Sequence, residues 1–401
     1  MSDVHYQSLE KTGAFEKPEK RSKRSKIIVG FLVEFLLVTE TVSKIAVSVV
    51  GLLILIAIGV AVGVIVSNNN KEKSSGNSSN GTKSGSNSNS ADPSLFKKDA
   101  RLHRSLYGLA YTPEGSLPDH GCSSTLAYID HLFQLMSQLT PRIRLYGADC
   151  NQTALVLEAI KQTKVDLKVY LGNYVVDGDP GAYERQRDVL KEALQTYGSA
   201  NIAGITVGNE FMLNYVTGHK IEDVNSAEAD AGAAILVENI ADTRAMIASL
   251  NLPNPIPVGN SDAGSYFSNK VLENVEYGLS NVHAWFANTT IEESSPWVRR
   301  FFDETNVQPA SLLPNKPTMY LAETGWPTGS KDLGNANNGF ADASVVNLQK
   351  FIDAFVCQAN ADGVPYFFFE DIKYGGVEGY WGLFNKDRTL KDITFPTCIS
   401  P

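Results

Sequence analysis

The chain has 401 residues, of which 43% are hydrophobic and 20% are charged, and its formal net charge is -9. Most of the chain can therefore build a packed core, enough for one large domain or two ordinary ones. The acidic balance argues against a nucleic-acid-binding protein, because such proteins usually present a basic face.

Residues 1–44 are predicted to form a basic cytoplasmic tail and juxtamembrane segment, since Lys and Arg cluster at positions 17–26. Residues 45–66 carry no charge and are long enough to cross a hydrocarbon core of about 30 Å as a signal-anchor helix. The lipid bilayer is thus a predicted partner. Since the basic cluster precedes this helix, the positive-inside rule predicts a single-pass type II plasma-membrane protein with its remainder outside the cell.

Residues 67–95 are predicted to form a disordered stalk, because Ser, Asn and Gly dominate and bury too little apolar surface to order the chain. Asn77 and Asn80 begin glycosylation sequons in this stalk, and Asn151 and Asn288 begin two more in the following domain. Short sequons also occur by chance, so the two in the stalk are the better candidates for modification.

Residues 96–401 are predicted to form one α/β domain in which short apolar runs alternate with amphipathic helices. The predicted strands are Tyr107–Ala110, Ile143–Tyr146, Lys168–Leu171, Ile202–Val207, Ile256–Val258, Asn281–Ala284, Met319–Ala322 and Pro365–Phe369. The predicted helices are Thr125–Leu139, Ala154–Gln162, Ala182–Tyr197, Ala227–Leu250, Ser265–Val275, Pro296–Asn306 and Ala343–Ala361. Alternation over about 300 residues favours a closed (β/α)8 TIM barrel with a parallel sheet. An open doubly wound sheet is less compatible, because no Gly-rich phosphate loop follows the first strand.

The four cysteines, Cys122, Cys150, Cys357 and Cys398, all follow the predicted membrane segment. An even number on the exported side fits two disulfides, although sequence alone allows three connectivities. We expect Cys122–Cys150 and Cys357–Cys398, because each pair closes a short stretch of chain. Four buried free thiols are the alternative.

Carboxylates end three of the predicted strands: Glu210 follows the fourth, Glu323 the seventh and Glu370 the eighth. Active sites of such barrels lie at the C-terminal ends of the strands. Glycoside hydrolysis needs two carboxyl groups there, one protonated and one ionised. The pattern therefore predicts that Glu210 and Glu323 face each other across the mouth of the barrel, whereas a structural ion pair at the rim is the alternative.

Other polar and aromatic residues near the strand ends are candidates for contacts with a sugar. An amide can bind a hydroxyl beside the reaction centre, and flat aromatic faces stack on sugar rings. The candidates are Asn209, Tyr111, Tyr146, His283, Trp285, Trp326, Glu370 and Trp381. For Tyr111 and Tyr146 ordinary rim packing is equally compatible with the sequence, and for Glu370 so is a salt bridge.

Three motifs resemble those of glycoside hydrolase family 17, the β-1,3-glucanases: VGNE at Val207–Glu210, ETGWP at Glu323–Pro327 and WGLF at Trp381–Phe384. The resemblance covers the domain from Tyr107 to Cys398, and the type II arrangement is similar to that of fungal membrane-anchored members. It implies a β-1,3-glucan substrate, Glu210 as acid/base and Glu323 as nucleophile. Because the family retains anomeric configuration, it also implies carboxyl groups about 5–5.5 Å apart.

The sequence thus predicts a retaining endo-β-1,3-glucan hydrolase of the cell wall with a monomeric exported domain. A transglycosylase or an exo-glucosidase would use the same residues. An inactive glucan-binding wall protein is an alternative of another class, although both carboxylates are present. We predict no cofactor and no catalytic metal, because no His-Glu-x-x-His pattern occurs.

Overall fold

The structure is a computed structural model, and it describes residues 92–118, 121–370, 380–385, 387 and 389–400. The predicted tail and membrane segment, most of the stalk and the sequons at Asn77 and Asn80 lie outside these residues. Within the described part of the chain, no helix combines the length and apolarity needed to span a membrane. The carbonyl of Pro93 accepts a hydrogen bond from Gln134 at 2.8 Å, so the packed domain includes residues that we assigned to the stalk.

Eight parallel strands close into a barrel in chain order, which confirms the predicted fold class for this domain. The strands are β1 (Gly108–Tyr111), β2 (Arg142–Arg144), β3 (Lys168–Asn173), β4 (Ile202–Asn209), β5 (Val258–Ala263), β6 (Tyr277–Asn281), β7 (Thr318–Thr324) and β8 (Tyr366–Glu370). The α-helices are α1 (Leu126–Met136), α2 (Gln152–Thr163), α3 (Pro180–Tyr197), α4 (Phe211–His219), α5 (Asp230–Ser249), α6 (Asn269–Leu272), α7 (Ile291–Phe302), α8 (Gln308–Ser311) and α9 (Val345–Ala361).

Several of these helices are N-capped by a side-chain oxygen, which accepts one of the backbone N–H groups that have no partner within the helix. Thr125 caps α1, Asp179 caps α3, Thr290 caps α7 and Ser344 caps α9. The apolar stripe of α1 packs against the barrel, as its spacing of three and four residues predicts. The main core therefore lies between the outer face of the sheet and the helices.

Aromatic rings fill the half of the barrel interior at the N-terminal ends of the strands. The ring of Tyr170 lies 5.5 Å from that of Tyr277 and 5.3 Å from that of Phe367. Glycines face these rings because no larger residue fits. A Cβ added at Gly259 would lie 2.2 Å from the ring of Tyr277, and one at Gly204 would lie 2.7 Å from its hydroxyl. This aromatic plug closes the barrel below the C-terminal face.

Both predicted disulfides are confirmed. Cys122–Cys150 joins the loops that follow β1 and β2, and Cys357–Cys398 joins α9 to the C-terminal segment. The first bridge thus braces the C-terminal face of the barrel, and the second anchors the end of the domain.

Two predicted strands were wrongly bounded. The fifth was expected at Ile256–Val258 but spans Val258–Ala263, and the sixth was expected at Asn281–Ala284 but spans Tyr277–Asn281. Both real strands contain glycine and polar residues, so a search for apolar runs placed them on flanking residues instead. Polar side chains fit here because they bond to one another or to backbone groups.

The helix prediction needs three corrections. The helix expected over Ser265–Val275 is reduced to the single turn of α6, and neither α4 nor α8 was predicted. The hydrophobic stretch that forms α4 follows β4 directly, without a loop that would mark a separate element. Its first residues are instead capped from a neighbouring strand, which local sequence does not show.

We predict that Gly259→Ala lowers the free energy of unfolding by about 1–3 kcal/mol, because the new methyl group would displace the Tyr277 ring from a filled interior. Urea unfolding of the domain, followed by circular dichroism, measures the change.

Gly218→Ala is the matched control, because Gly218 lies inside α4 with open space where its Cβ would stand. We expect this variant to be as stable as the native domain or more stable by about 0.5–1 kcal/mol. Equal stability of the two variants would show that the aromatic plug does not need glycine at position 259.

Candidate active site

A local irregularity in β4 directs Asn209 and Glu210 toward the mouth of the barrel. Thr206 faces the interior and bonds to the Tyr277 hydroxyl at 2.9 Å, so strict alternation would turn Asn209 outward. The pairing of β4 with β5 instead shifts register between Thr206 and Asn209, and Gly208 adopts a φ of 84° that favours glycine. Such bulges commonly redirect side chains beside active sites.

Glu323 is also placed by a change of register. The pairing of β7 with β6 shifts between Ser280 and Asn281, and its pairing with β8 shifts between Leu321 and Thr324. Leu321 belongs to the outer core, whereas Glu323 contacts residues at the mouth of the barrel. Both predicted catalytic carboxylates therefore follow departures from regular strand pairing.

Arg144, at the end of β2, connects the residues of the site. Its Nη1 donates to Glu323 Oε1 at 3.0 Å, and its Nη2 donates to Asn209 Oδ1 at 2.6 Å and to Ser261 Oγ at 2.8 Å. The side chain of Arg144 is only 1% exposed, so its charge is withdrawn from water and depends on these partners. One guanidinium thus fixes groups from β4, β5 and β7.

The other oxygen of Glu323 faces His283, whose Nε2 lies 3.1 Å from Oε2. The guanidinium of Arg144 also lies 4.2 Å above the centre of the Tyr146 ring. Burial alone would raise the pKa of Glu323, but the hydrogen bond with His283 and the charge of Arg144 outweigh burial and lower this pKa to about 2. Glu323 is therefore ionised at ordinary pH.

Glu210 is half-buried, and its Oε1 accepts a hydrogen bond from Asn281 Nδ2 at 2.9 Å. Burial raises the pKa of Glu210, and the nearby charge of Glu323 raises it further, although the Asn281 hydrogen bond opposes this. The two carboxyl groups therefore have pKa values shifted in opposite directions. This arrangement favours a protonated Glu210 beside an ionised Glu323, the pair of states that acid–nucleophile chemistry requires.

Asn209 has its amide oxygen engaged by Arg144, which can only donate hydrogen bonds. Its Nδ2 has no partner among the described protein groups, so this donor remains available at the mouth of the barrel. The prediction that Asn209 contacts a sugar hydroxyl is compatible with this geometry.

Three of the aromatic residues predicted to contact substrate, Trp326, Trp285 and Tyr111, are buried among other side chains. Trp326 has no exposed surface, and its Nε1 donates to the backbone oxygen of Asp342. Trp285 is 4% exposed and packs edge-on against Trp326 at 5.2 Å. Tyr111 is fully buried and faces Phe133 of α1. Nearness to a strand end does not reveal this burial, because the groups that cover each ring lie elsewhere along the chain.

Trp381 and Glu370 are both buried beside the site. Trp381 is 5% exposed and lies 4.7 Å from the ring of His283, so it borders the site. Glu370 is 2% exposed and accepts the backbone N–H of Leu383 at 2.5 Å. Glu370 thus anchors the segment that carries Trp381.

Sequence reasoning missed several residues of the site: Arg144, Ser261, Asp262, Asn281 and Tyr174. The first lay inside a correctly located strand, but its charge at a strand end was not recognised as a signal. The next three belong to the two strands that were wrongly bounded. Tyr174 is 38% exposed, and its pKa is raised by burial and by the charges of Glu210 and Glu323, so it lies near both carboxylates.

The two described sequons differ in exposure, since Asn151 is exposed and Asn288 is half-buried. Among the residues that the structure describes, no group of three His, Cys, Asp or Glu side chains could hold a metal ion.

Comparison with known proteins places residues 108–382 in the BtgE/BtgC glycoside hydrolase domain. A putative glucan endo-1,3-β-glucosidase, btgC of Aspergillus niger, is 32% identical over 320 residues, which cover 74% of this chain and 44% of the relative. The btgC glucan endo-1,3-β-glucosidase of Emericella nidulans is 29% identical, covering 74% of this chain and 47% of its own. The chain thus spans less than half the length of these relatives.

Two solved structures share the barrel fold. One is the glycoside hydrolase family 17 β-1,3-glucanosyltransferase of Rhizomucor miehei, with a TM-score of 0.59 and 22% identity over 73% of this chain and 99% of its own. The other is an endo-laminarinase from Formosa, with a TM-score of 0.57 and 15% identity over 73% and 86% of the two chains. The predicted family resemblance is confirmed, and the chain belongs to the BtgE/BtgC glycoside hydrolase family, whose fold is that of glycoside hydrolase family 17.

Proposed function

We propose that this protein is a retaining endo-β-1,3-glucan hydrolase that acts on cell-wall glucan. The observation that carries the proposal is the opposite direction of the pKa shifts at Glu210 and Glu323, two carboxyl groups linked through Asn281, Asn209 and Arg144. A site that only binds sugar has no need for one acid and one ionised carboxylate.

In the first step, a carboxylate oxygen of Glu323 attacks the anomeric carbon of the sugar. The bond from that carbon to the glycosidic oxygen breaks, and the oxygen takes the proton of Glu210 as it leaves. Arg144 and His283 hold the Glu323 oxygens in place before attack. A separation of about 5–5.5 Å between the two carboxyl groups remains our prediction for this geometry.

In the second step, Glu210 is ionised and takes a proton from an incoming water, whose oxygen attacks the anomeric carbon. The bond to Glu323 breaks, and the sugar is released with its original configuration. If a sugar hydroxyl takes the place of water, the same residues transfer the glycosyl group. Transfer is the second candidate activity, because the solved Rhizomucor miehei structure of the same fold is described as a glucanosyltransferase.

The choice of β-1,3-glucan is supported by the relatives, which are named glucan endo-1,3-β-glucosidases, and by a Rhizomucor miehei mutant solved with laminaritriose. In this chain the free Asn209 amide donor and the exposed ring of Tyr174 lie near the two carboxylates. They supply a hydrogen bond to a hydroxyl and a flat face for a sugar ring.

We predict that residues 92–401 shorten laminari-oligosaccharides from internal bonds and release products with β configuration. Mass spectrometry of the products and NMR of freshly formed reducing ends measure both properties, with β-1,4- and β-1,6-glucans as comparison substrates. Products longer than the starting oligosaccharide would instead identify a transglycosylase. Release of glucose alone would identify an exo-glucosidase.

The nucleophile variant Glu323→Ala serves as the control for this experiment. We expect activity to fall by at least about 10³-fold, and azide to restore turnover of an activated aryl glycoside with an inverted azide product. A native domain that cleaves no glucan would contradict the proposed hydrolase, and retention of that domain on insoluble β-1,3-glucan would then identify a glucan-binding protein.

The pH dependence of kcat/KM is predicted to be bell-shaped, because the active form has Glu210 protonated and Glu323 ionised. As pH falls toward 2, Glu323 gains a proton and activity is lost. As pH rises above the ordinary Glu pKa of 4.5, Glu210 retains its proton until its own raised pKa is passed, and activity then falls. Initial rates on a laminari-oligosaccharide between about pH 2 and 8 measure both limbs, which belong to the coupled pair.

Glu210→Gln provides the matched variant for the pH experiment. On a laminari-oligosaccharide, the activity that this variant retains should lose the alkaline limb and keep the acid limb, because no group at position 210 then titrates. An alkaline limb that persists unchanged would remove Glu210 from the role of acid.

We further propose that residues 1–44 face the cytosol, residues 45–66 span the plasma membrane, and the barrel faces the cell wall with sugars on the stalk at Asn77 and Asn80. The support is the charge-free segment of residues 45–66 and the basic residues that precede it.

For the full chain, we predict membrane fractionation resistant to alkaline carbonate and a fall in apparent mass after glycosidase treatment. In the double variant Asn77→Gln, Asn80→Gln, the fall in apparent mass should be smaller, because the stalk carries no sugars. Release of the full chain by carbonate would contradict the anchor.

A further inference from the structure

The backbone of Glu210 occupies an uncommon conformation, with φ 53° and ψ 30° in the left-handed region. Side chains with a Cβ disfavour this region, so surrounding structure must hold the residue there. Glu210 also stands immediately before α4, but its own side chain does not cap that helix. The first N–H groups of α4 therefore need a partner from elsewhere.

Asp262 of β5 supplies that partner. Its Oδ2 accepts the N–H of Met212 at 2.8 Å, and its Oδ1 accepts the N–H of Leu213 at 3.2 Å and that of Ala263 at 2.9 Å. The side chain of Asp262 has no exposed surface, so it does not reach a substrate. A carboxylate withdrawn from water but holding three backbone N–H groups is an anchoring group for the start of α4.

Ser261, the residue before Asp262, binds the backbone of Glu210 directly. The backbone oxygen of Ser261 accepts the N–H of Glu210 at 3.2 Å, and the Ser261 hydroxyl lies inside the site against Arg144 and Asn209. Because neighbouring residues of a strand point to opposite faces, Ser261 reaches inward while Asp262 reaches outward to the helix. Two consecutive residues of β5 thus hold the backbone of Glu210 itself and that of the residues that follow it.

We propose that Asp262 is a positioning residue that holds Glu210 where it can protonate the leaving oxygen. The proposal rests on the proposed function, because it assigns Asp262 a role only through the acid at position 210. If Asp262 were merely a helix cap, its loss would lower stability and would affect all substrates alike. If it positions the acid, its loss harms those reactions that need the proton.

The test compares kcat/KM for two substrates that differ in their need for acid. One is laminaritetraose, whose sugar leaving group must be protonated. The other is 2,4-dinitrophenyl β-laminaribioside, whose leaving group departs as a stable anion. For each substrate, kcat/KM reports the steps up to the first irreversible one, which is glycosyl transfer to Glu323. It therefore measures the need for the acid without a contribution from the later hydrolysis step. The variants are Asp262→Ala and Asp262→Asn, and the latter keeps one oxygen that accepts a backbone N–H.

We expect Asp262→Ala to reduce kcat/KM for laminaritetraose on the order of 10²-fold, as for a misplaced catalytic group, and to change the value for the aryl glycoside by less than about threefold. Asp262→Asn should fall between this variant and the native protein. Asp179→Ala is the matched control, because Asp179 caps α3 through Ala182 N at 3.2 Å and has no contact with Glu210. Asp179→Ala should leave kcat/KM unchanged for both substrates.

Equal losses on both substrates, or no loss on either, would overturn the positioning role. If Asp262→Ala does not fold, Asp262→Asn decides between these outcomes on its own. A native protein that cleaves neither substrate would refute the proposed function itself, and the positioning role would be refuted with it. A native protein that cleaves both, with variants unable to discriminate between them, would refute only the role of Asp262.

Discussion

The site is organised around one buried positive charge. Arg144 is withdrawn from water, so its guanidinium is stable only if fixed acceptors surround it. Those acceptors are Glu323, Asn209 and Ser261, which come from three other strands of the barrel. Glu323 depends on Arg144 in turn. It is also buried, and it stays ionised because the hydrogen bond with His283 and the charge of Arg144 are close.

The same arrangement raises the pKa of Glu210. Burial is the main cause of this increase, and the charge that Arg144 and His283 stabilise on Glu323 adds to it, so the ionised state of Glu323 favours the neutral state of Glu210. The placement of both carboxylates relies on irregular backbone: register shifts in β4 and β7, and left-handed conformations at Gly208 and Glu210. Regular strands could form the barrel, but they would not direct the side chains of Glu210 and Glu323 toward its mouth.

Sequence alone predicted the closed barrel, both disulfides and the two carboxylates, because apolar alternation, cysteine spacing and strand-end motifs are all local signals. It failed where partners are distant along the chain. Arg144 lies 179 residues from Glu323, and Asp262 lies 50 residues from Met212, so neither contact has a local pattern. The burial of Trp326 was not foreseen for a related reason, since its Nε1 donates to the backbone oxygen of Asp342, 16 residues away.

The two ends of the described domain lie together at the closed pole of the barrel. Ser400 donates a backbone hydrogen bond to Arg104, and Asn360 reaches both Ser105 and Ile399, next to the bridge between Cys357 and Cys398. The carboxylates occupy the opposite pole. A polymer strand can therefore approach the reactive face without crossing the C-terminal segment or the residues that lead into β1.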